Sequence, residues 1–288
     1  MKTILITGIN GFLGSNLAKT LCQNHNIIGL EYSIKSLDRI KNYNFKVYCA
    51  ENEIPDEVFT EQSIDFIIHT ATFYGKQNES TDIIAKANLF IPFELLEKAI
   101  IFKCKLFINT DTVLDRFVNT YALSKRHFQE WLYIRRNEIK IINMQLEHFY
   151  GPGASNSNFI TNMIDRLKSD EDIIDLTLGE QKRGFVYIED VISAYEIVIN
   201  KVLEIPNSYT EFQVTVNQLI SVKELMLSLK RLTNSKSKLN FGSLSYRENE
   251  LLESKTDNKK LVKLGWNPTT ELNQGLEFTI LSELKIKN

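Results

Sequence analysis

Residues 3–17 read "TILITGINGFLGSNL", and this segment combines an apolar run, a glycine turn and the start of an amphipathic helix. The apolar residues 3–7 are typical of a strand covered on both faces of a parallel sheet. In the GxxGxxG turn, Gly8 permits a tight turn, Gly11 lets the backbone approach a pyrophosphate, and Gly14 allows close packing of helix and strand. The helix N-terminus then favours an anion. The segment therefore predicts a dinucleotide site, and the alternative is a glycine-rich loop without a ligand.

Glu31 ends the second predicted strand, residues 26–31. A carboxylate at this position can accept hydrogen bonds from the ribose hydroxyls of NAD and would repel the 2′-phosphate of NADP. The alternative is a solvated acid that follows a strand. Ser33 and Lys35 lie close enough to leave NADP open, so the sequence predicts NAD(H) or NADP(H), with NAD favoured by charge.

The rest of the chain predicts an α/β fold, with a Rossmann-like, doubly wound parallel sheet and a smaller C-terminal α+β substrate lobe. Further apolar runs alternate with helical patterns and predict strands over 45–50, 64–71, 104–110 and 140–147. We expect residues 1–150 to form the dinucleotide-binding domain, with 185–205 packing back on it. Residues 151–184 and 206–288, including a strand over 210–216, are expected to form the lobe that binds a nucleotide sugar.

Composition excludes several function classes. The 288 residues carry a net charge of −2, so there is no basic footprint for nucleic acid or acidic membranes. Apolar runs are too short and too charged to cross a bilayer, and the N-terminus shows no secretory pattern, so a cytoplasmic protein is expected. The three cysteines and four histidines show no ligand spacing, and no metal site is predicted.

Tyr121 and Lys125 lie four residues apart in "NTYALSKRHF", residues 119–128, and share one face of a predicted helix. An ammonium close to a phenol stabilises the phenolate and brings its pKa toward the working range of an acid or base. Thr110 ends the strand "LFINT" at the sheet edge where doubly wound folds bind their ligands. We therefore predict a catalytic set of Tyr121, Lys125 and Thr110.

With these residues in place, the chain resembles the extended short-chain dehydrogenase/reductase family, specifically its nucleotide-sugar epimerases, dehydratases and reductases. The resemblance covers nearly the whole chain. It is carried by "TGINGFLGSNL", "IIHTAT", "ANLFIPFELLEKA", "FINTDT", "YALSK", "YGPG", "GEQKRGFVYIEDV" and "LVKLGWNPTTEL".

Departures from the family pattern narrow the resemblance. The 4,6-dehydratases carry Thr-Asp-Glu where this chain has Thr110-Asp111-Thr112, so dehydration is not expected. The usual Arg and Asn before "YGP" are Gln145 and His148 here. "LEHFYG", "NTDT", "ATFYGKQNES" and "YRENELLES" look most like the CDP-paratose and CDP-abequose synthases, which reduce the 4-keto group of CDP-4-keto-3,6-dideoxyglucose for O-antigen sugars. That branch generally uses NADPH, in conflict with the reading of Glu31.

The resemblance implies reduction of a nucleotide-linked 4-ketosugar by NAD(P)H. Tyr121 would protonate the alkoxide, Lys125 would lower the pKa of Tyr121 and hold the nicotinamide ribose, and Thr110 would bind the carbonyl oxygen. The implied cofactor-binding residues, besides Tyr121 and Lys125, are Gly8, Asn10, Gly11, Phe12, Leu13, Gly14, Glu31, Thr70, Ala71, Thr72, Asn88 and His148. The implied substrate-binding residues are Tyr74, Asp111, His148, Asn158, Phe159, Gln181, Arg183 and Arg247. The aspartate that usually follows this arginine is Gly184 here.

Two other functions stay open at this point. A 4-epimerase would oxidise and re-reduce carbon 4 with a tightly held NAD, and a non-catalytic protein would bind the dinucleotide alone. The resemblance also implies a homodimer that pairs the Tyr121 helix with the helix "ANLFIPFELLEKAIIF". Both helices have apolar faces that could equally serve the core of one chain.

Overall fold

A computed structural model describes residues 1–51, 53–75, 79–247 and 249–286, with side chains as far as residue 282. Parts of "ATFYGKQNES" and "YRENELLES" lie outside the described residues. The strands are β1 (Thr3–Thr7), β2 (Asn26–Glu31), β3 (Lys46–Cys49), β4 (Phe66–His69), β5 (Leu106–Thr112), β6 (Lys140–Leu146), β7 (His148–Tyr150), β8 (Ile173–Leu176), β9 (Lys182–Arg183), β10 (Phe185–Tyr187), β11 (Tyr209–Val214), β12 (Ile220–Ser221) and β13 (Lys238–Phe241). The helices are α1 (Phe12–Leu21), α2 (Glu57–Thr60), α3 (Thr81–Ala85), α4 (Ile91–Ile101), α5 (Thr120–Ile134), α6 (Phe159–Lys168), α7 (Ile188–Asn200), α8 (Val222–Thr233), α9 (Lys259–Leu264) and α10 (Leu272–Ile286), and a π-helical turn, Lys86–Phe90, joins α3 to α4.

The central sheet has the strand order β11-β6-β5-β4-β1-β2-β3 in the described part of the chain. β1 pairs in parallel with both β2 and β4, so Thr7 lies opposite Leu30 on one side and His69 on the other. The chain order reverses between β1 and β4, and doubly wound folds bind ligands at the carboxyl ends of strands at such a switch point. The predicted Rossmann-like parallel sheet is confirmed.

The strands of this sheet are apolar because helices cover both of its faces. Side chains from β1, β4 and β5 reach zero exposure and pack with α4 and α5 into one large core cluster, for example Leu5, Ile67, Phe107, Leu96 and Phe128. The sheet is thus a rigid platform for the loops at its carboxyl edge.

One element differs from its predicted place. The strand expected over 210–216 in the small lobe is β11, and it forms the edge of the central sheet beside β6. The Ile141 N–H donates to Ser208 O at 2.8 Å, which shows the chain returning alongside β6 just before β11 begins. The alternating pattern of "TEFQVTV" predicts a strand but does not say which sheet it joins.

The chain divides into two compact units, Met1–Gln145 with Val198–Phe212, and Leu146–Ile197 with Gln213–Asn288. The first contains the glycine turn and α5. The second contains small two-stranded pairings, β7 with β10, β9 with β12 and β8 with β13. The predicted domain boundary at residue 150 differs from this division, and the predicted return segment 185–205 is shared between the two units.

Helices long and apolar enough to span a bilayer do not occur among the described residues.

Candidate active site

The glycine turn between β1 and α1 has the geometry of a phosphate cradle. Gly8 has a φ of +67°, a region that side chains disfavour, and Gly11 N donates to Gly8 O at 2.8 Å. A Cβ on Gly14 would lie 2.1 Å from Gly8 O, so the helix can approach the turn only because residue 14 is glycine. In the described structure no side chain caps α1 at Gly11, and its first turn contains no acidic residue. These features fit the pyrophosphate of a dinucleotide. Phe12 and Leu13 form the first turn of α1 at this cradle.

Glu31 connects the end of β2 to the same turn. Its Oε1 accepts a short hydrogen bond from the Asn10 backbone N–H. Burial raises the pKa of Glu31, while hydrogen bonds from the backbone of Asn10 and Tyr32 oppose that rise. The Asn10 side chain accepts from Arg39 N at 3.0 Å and donates to Ser36 O at 3.1 Å. Glu31 is therefore a half-buried acceptor at the turn, and Asn10 ties the turn to the loop after β2.

The loop after β4 packs directly on the glycine turn. Thr70 Oγ1 donates to Thr7 O at 2.7 Å, and Ala71 N donates to Thr7 Oγ1 at 3.2 Å. A Cβ on Gly8 would lie 2.9 Å from Ala71 Cα. The predicted cofactor residues Thr70 and Ala71 therefore lie next to Gly8.

Asn88 was predicted to contact the cofactor, and in the structure its side chain bonds to other residues of the protein. It is buried in the π-helical turn, where its Oδ1 accepts from Phe73 N at 2.8 Å and from Thr72 Oγ1 at 3.3 Å. Its Nδ2 donates to Phe73 O at 2.8 Å and to Ser124 Oγ at 3.1 Å. An amide offers two donors and two acceptor lone pairs, so these four contacts use the whole side chain. In the structure Asn88 clamps the loop after β4 to α5.

Tyr121 lies in the first turn of α5, with its hydroxyl hydrogen-bonded to the side chains of Thr72 and Thr112. Its ring contacts that of Tyr74 with a centroid distance of 4.9 Å. The pKa of Tyr121 is raised well above its usual value by burial first, with the charges of Tyr74 and Asp111 adding to the rise and the threonine hydrogen bonds opposing it. The sequence predicted that the pKa of Tyr121 is lowered. The groups of the protein itself raise it instead.

Lys125 and Asp111 are both buried, and the charge of each acts on the pKa of the other. Burial lowers the pKa of Lys125, and the Asp111 carboxylate opposes that shift. Burial raises the pKa of Asp111, opposed by the Lys125 charge and by hydrogen bonds. Asp111 Oδ2 accepts from Asn143 Nδ2 at 2.8 Å, and Asn143 Oδ1 accepts from Asn109 at 2.7 Å. Asp111, predicted to bind substrate, is thus anchored inside the protein beside Lys125.

Sequence reasoning missed the role of Thr112. Thr110 and Thr112 both belong to the end of β5, and side chains two residues apart on a strand point to the same face. This alternation could have identified Thr112 as a neighbour of Thr110. Thr72 was predicted for the cofactor, and its contact with the Tyr121 hydroxyl was not predicted.

The second unit contains the predicted residues His148, Asn158, Phe159, Gln181, Arg183 and Arg247. Asn158 caps α6, accepting from Ile160 N at 3.0 Å, and donates to Phe149 O at 2.9 Å; Phe159, which follows it, is partly exposed. Gln181 Nε2 donates to Thr177 at 3.3 Å, while its buried Oε1 has no hydrogen-bond partner in the described structure.

Arg183 is buried and engaged within the second unit. Its Nη2 lies 2.6 Å from both Glu250 Oε1 and Leu251 O, and its Nη1 donates to Lys182 O at 2.8 Å. Arg183 is thus engaged in an internal ion pair and in hydrogen bonds to backbone carbonyls. Arg247 is exposed in the loop before Glu250.

A buried carboxylate, Glu147, precedes His148 and was not predicted. Its Oε1 lies 3.0 Å from His148 Nδ1, and Ser254 Oγ donates to it. Gly184 lies against this pair, because a Cβ there would be 2.9 Å from Thr215 Oγ1 and 3.4 Å from Glu147 Cγ. A side chain at residue 184 would therefore press on Thr215 Oγ1 and contact Glu147.

Comparison with known proteins places this site in context. Residues 4–210 match the NAD dependent epimerase/dehydratase family. The chain is 32% identical over 291 residues to CDP-abequose synthase of Salmonella typhimurium, covering 95% of this chain and 96% of that protein. It is 31% identical to CDP-abequose synthase of Salmonella muenchen, with 96% of each chain covered.

Solved structures share the fold at lower identity. UDP-glucose 4-epimerase of Thermotoga maritima with UDP-glucose aligns over 99% of this chain and 100% of that chain, with a TM-score of 0.85 and 22% identity. UDP-glucuronic acid 4-epimerase of Bacillus cereus, in complex with UDP-glucuronic acid and NAD, aligns over 99% of each chain with a TM-score of 0.85 and 21% identity.

Proposed function

We propose that this chain, which belongs to the NAD-dependent epimerase/dehydratase family, reduces the C4 keto group of a nucleotide-linked 4-keto-deoxysugar. The observation that carries the proposal is the near-complete match to two CDP-abequose synthases by a chain with the tyrosine–lysine pair on α5. The resemblance implies a CDP-linked 4-ketosugar as substrate and a place in the biosynthesis of surface-polysaccharide sugars.

The reaction needs one hydride and one proton at the carbonyl group. Reduced nicotinamide, when bound, supplies the hydride to carbon 4. Tyr121 donates its phenolic proton to the oxygen, which becomes the new hydroxyl group, and Thr110 binds that oxygen by a hydrogen bond. Lys125, buried near Asp111, stabilises the phenolate left on Tyr121 and would hold the nicotinamide ribose when the cofactor is bound. Thr72 and Thr112 orient the phenol by their hydrogen bonds to it.

Several contacts support an acid rather than a base at Tyr121. Burial and neighbouring charges raise its pKa, so the phenol is protonated at neutral pH. Reduction begins with a protonated donor, whereas epimerisation begins by removing a proton from the sugar hydroxyl. Thr112 occupies the position of the dehydratase glutamate and has no acidic proton to exchange at neutral pH. The missing glutamate argues against dehydration, and the similarity to the CDP-abequose synthases supports reduction over epimerisation.

The proposed cofactor is NADH. Family membership and the NAD seen in structural relatives support a nicotinamide dinucleotide of the NAD type. The choice of NADH over NADPH follows from Glu31, because its carboxylate next to the glycine turn would repel the 2′-phosphate of NADPH. The resemblance to enzymes that use NADPH favours the other choice, and a direct comparison of the two cofactors decides it.

We also propose a homodimer that pairs α4 and α5 with their copies. The two helices touch through Phe93 and Trp131, whose ring centroids are 5.2 Å apart. Large apolar side chains on or beside them are exposed: Phe90 by 61%, Trp131 by 51% and Ile134 by 63%. Exposed aromatic clusters of this kind are enriched at protein interfaces.

The test of the proposed function is a turnover assay with CDP-4-keto-3,6-dideoxyglucose, comparing NADH with NADPH by loss of nicotinamide absorbance. One cofactor oxidised per sugar reduced is the expected result, with NADH preferred. Failure with both cofactors, together with NAD retained through purification and isomerisation of a nucleotide sugar, would support the epimerase instead. Binding of NADH without any turnover of these sugars would support a non-catalytic dinucleotide-binding protein.

A further inference from the structure

Glu147 is a fully buried carboxylate in the second unit, and its side chain has zero exposure. Its Oε1 lies 3.0 Å from His148 Nδ1. Ser254 Oγ lies 2.8 Å from Oε2 and 3.0 Å from Oε1 of the same carboxylate. A buried carboxylate is stable only where hydrogen bonds or opposite charges compensate its lost hydration, and these two residues provide that compensation.

The hydrogen positions follow from the chemistry of the groups. An ionised carboxylate can only accept hydrogen bonds, so the Ser254 hydroxyl donates to it and His148 Nδ1 must carry a hydrogen. Nε2 is then the nitrogen available to another group: it accepts in neutral imidazole and donates in imidazolium. The His148 side chain is 41% exposed, unlike its buried partner. The ring also packs on Phe185 at a centroid distance of 5.8 Å, which limits its rotation.

His148, the exposed member of this arrangement, lies at a position where the chain departs from the family pattern it resembles. His148 replaces an asparagine, and Gly184 replaces an aspartate. A Cβ at residue 184 would lie 2.9 Å from Thr215 Oγ1 and 3.4 Å, an ordinary contact distance, from Glu147 Cγ. The buried carboxylate that contacts the His148 ring is that of Glu147.

We propose that Glu147, held by Ser254, is a positioning residue that fixes His148 with Nδ1 protonated, so that Nε2 hydrogen-bonds an oxygen of the nucleotide-sugar substrate. This inference rests on the proposed function for the identity of the substrate. His148 is the binding residue, and Glu147 and Ser254 act through it.

Kinetics of four variants separate this role from simple packing. H148N should raise the KM for the nucleotide sugar about tenfold, the effect of losing one oriented hydrogen bond, and leave the KM for NADH within about twofold. E147L should do the same, and E147L/H148N should be no worse than H148N alone, because Glu147 acts through His148. E147Q, which retains an acceptor, should recover part of the loss. Additive effects of E147L and H148N, or no rise in KM, would overturn the proposal.

Nitrogen-15 NMR of the histidine ring gives a readout that needs no turnover. We expect hydrogen on Nδ1 of His148 in the wild type and a shift to the Nε2–H tautomer in E147L. If E147L does not fold, E147A carries the same test, since alanine also removes the acceptor for the Nδ1 hydrogen. Wild-type His148 without hydrogen on Nδ1 would overturn the positioning role. A wild type that shows the expected tautomer but reduces no 4-ketosugar would overturn only the proposed function.

Discussion

At the scale of single residues, the environment of Tyr121 bears most directly on the proposed chemistry. The phenol is held by two threonine hydroxyls and is buried against Tyr74, which raises its pKa. Nearby, Lys125 stays close to the Asp111 carboxylate. A phenol that shares a helix face with a lysine is suited to give up a proton when an alkoxide develops.

Removing the phenolic hydroxyl tests this role. We expect Tyr121→Phe to lower kcat by about 100-fold or more, because the developing alkoxide loses its proton donor. NADH binding, measured by quenching of protein fluorescence, should stay within about twofold of wild type, since the other contacts of the dinucleotide site are unchanged. Tyr43→Phe, a substitution on a half-exposed tyrosine that stacks on Phe45, is the matched control and should retain full kcat. Full activity of Tyr121→Phe would rule out the assigned role.

Asp111 gives a prediction for stability against pH. Its pKa is raised in the folded protein by burial, so the folded state binds that proton more tightly than the unfolded state. Its contribution to stability is then fully present below the unfolded pKa of about 3.9 and is lost as pH rises through the folded pKa. The free energy of unfolding of Asp111→Asn, relative to wild type, should increase as the pH is raised from about 4 to about 7. Urea denaturation measures it, and a difference that is constant or that falls with pH contradicts the shift.

Single residues also show which features of the site could be predicted from the sequence and which could not. The tight turn at Gly8 and Gly14, with Glu31 beside it, was predictable because a strand, a turn and a helix follow one another locally. Glu147 and Ser254 were not, because they are 107 positions apart and only the folded chain brings them together. "LEHFYG" and "YRENELLES" each contained one partner, but neither motif predicts the contact.

At the scale of elements, α5 presents the tyrosine–lysine pair from a defined first turn. Asn119 is the N-cap, and its side chain accepts from Ala122 N at 2.8 Å. Ser124 Oγ donates to Tyr121 O at 2.7 Å and also accepts from the Asn88 clamp. The helix start is therefore tied both to its own cap and to the loop after β4. The four-residue spacing predicted the shared helix face, but the clamp depends on packing between distant segments.

Weakening this cap should affect activity as well as stability. Asn119→Ala should cost about 1 kcal/mol of unfolding free energy, as N-cap losses typically do. It should also lower kcat by about tenfold, because the turn that holds Tyr121 loses its fixed geometry.

Ser221→Ala provides the matched control for the cap. Ser221 caps α8 in a capping box, accepting from Glu224 N at 3.1 Å, far from Tyr121 in sequence and in the other compact unit. We expect a similar loss of stability, about 1 kcal/mol, with kcat unchanged. Equal losses of kcat in both variants, or none in either, would show that the α5 cap does not position Tyr121.

The sequence patterns of different strands predict their position in the fold with different success. The apolar runs of β1, β4 and β5 predicted a parallel sheet because only strands covered on both faces are uniformly apolar. β11 alternates, and alternation is compatible with an edge of the central sheet as well as with a small lobe. Its assignment to the small lobe was wrong for that reason.

At the scale of the whole molecule, the exposed apolar faces of α4 and α5 predict association. We expect Trp131→Glu to convert the proposed homodimer to a monomer, because a charge buried in an apolar interface has no partner. Light scattering after size exclusion measures the mass. Leu203→Glu is the control, since Leu203 is 96% exposed and lies in neither helix, and this variant should remain dimeric. A monomeric wild type would contradict the dimer.

At the scale of the whole molecule, a labelled hydride distinguishes a reductase from an epimerase. A reductase consumes added NADH, whereas an epimerase reuses a bound NAD. The measurement is mass spectrometry of the product formed from CDP-4-keto-3,6-dideoxyglucose and NADH deuterated at nicotinamide carbon 4, with wild type and Tyr121→Phe in parallel. A 4-ketoreductase transfers one deuterium to carbon 4 of the sugar in the reaction with the correctly labelled face of NADH, and Tyr121→Phe forms little product. A 4-ketosugar that stays unreduced with either labelled face, together with inversion of C4 in a CDP-hexose that takes up no deuterium, would contradict reduction and point to a 4-epimerase.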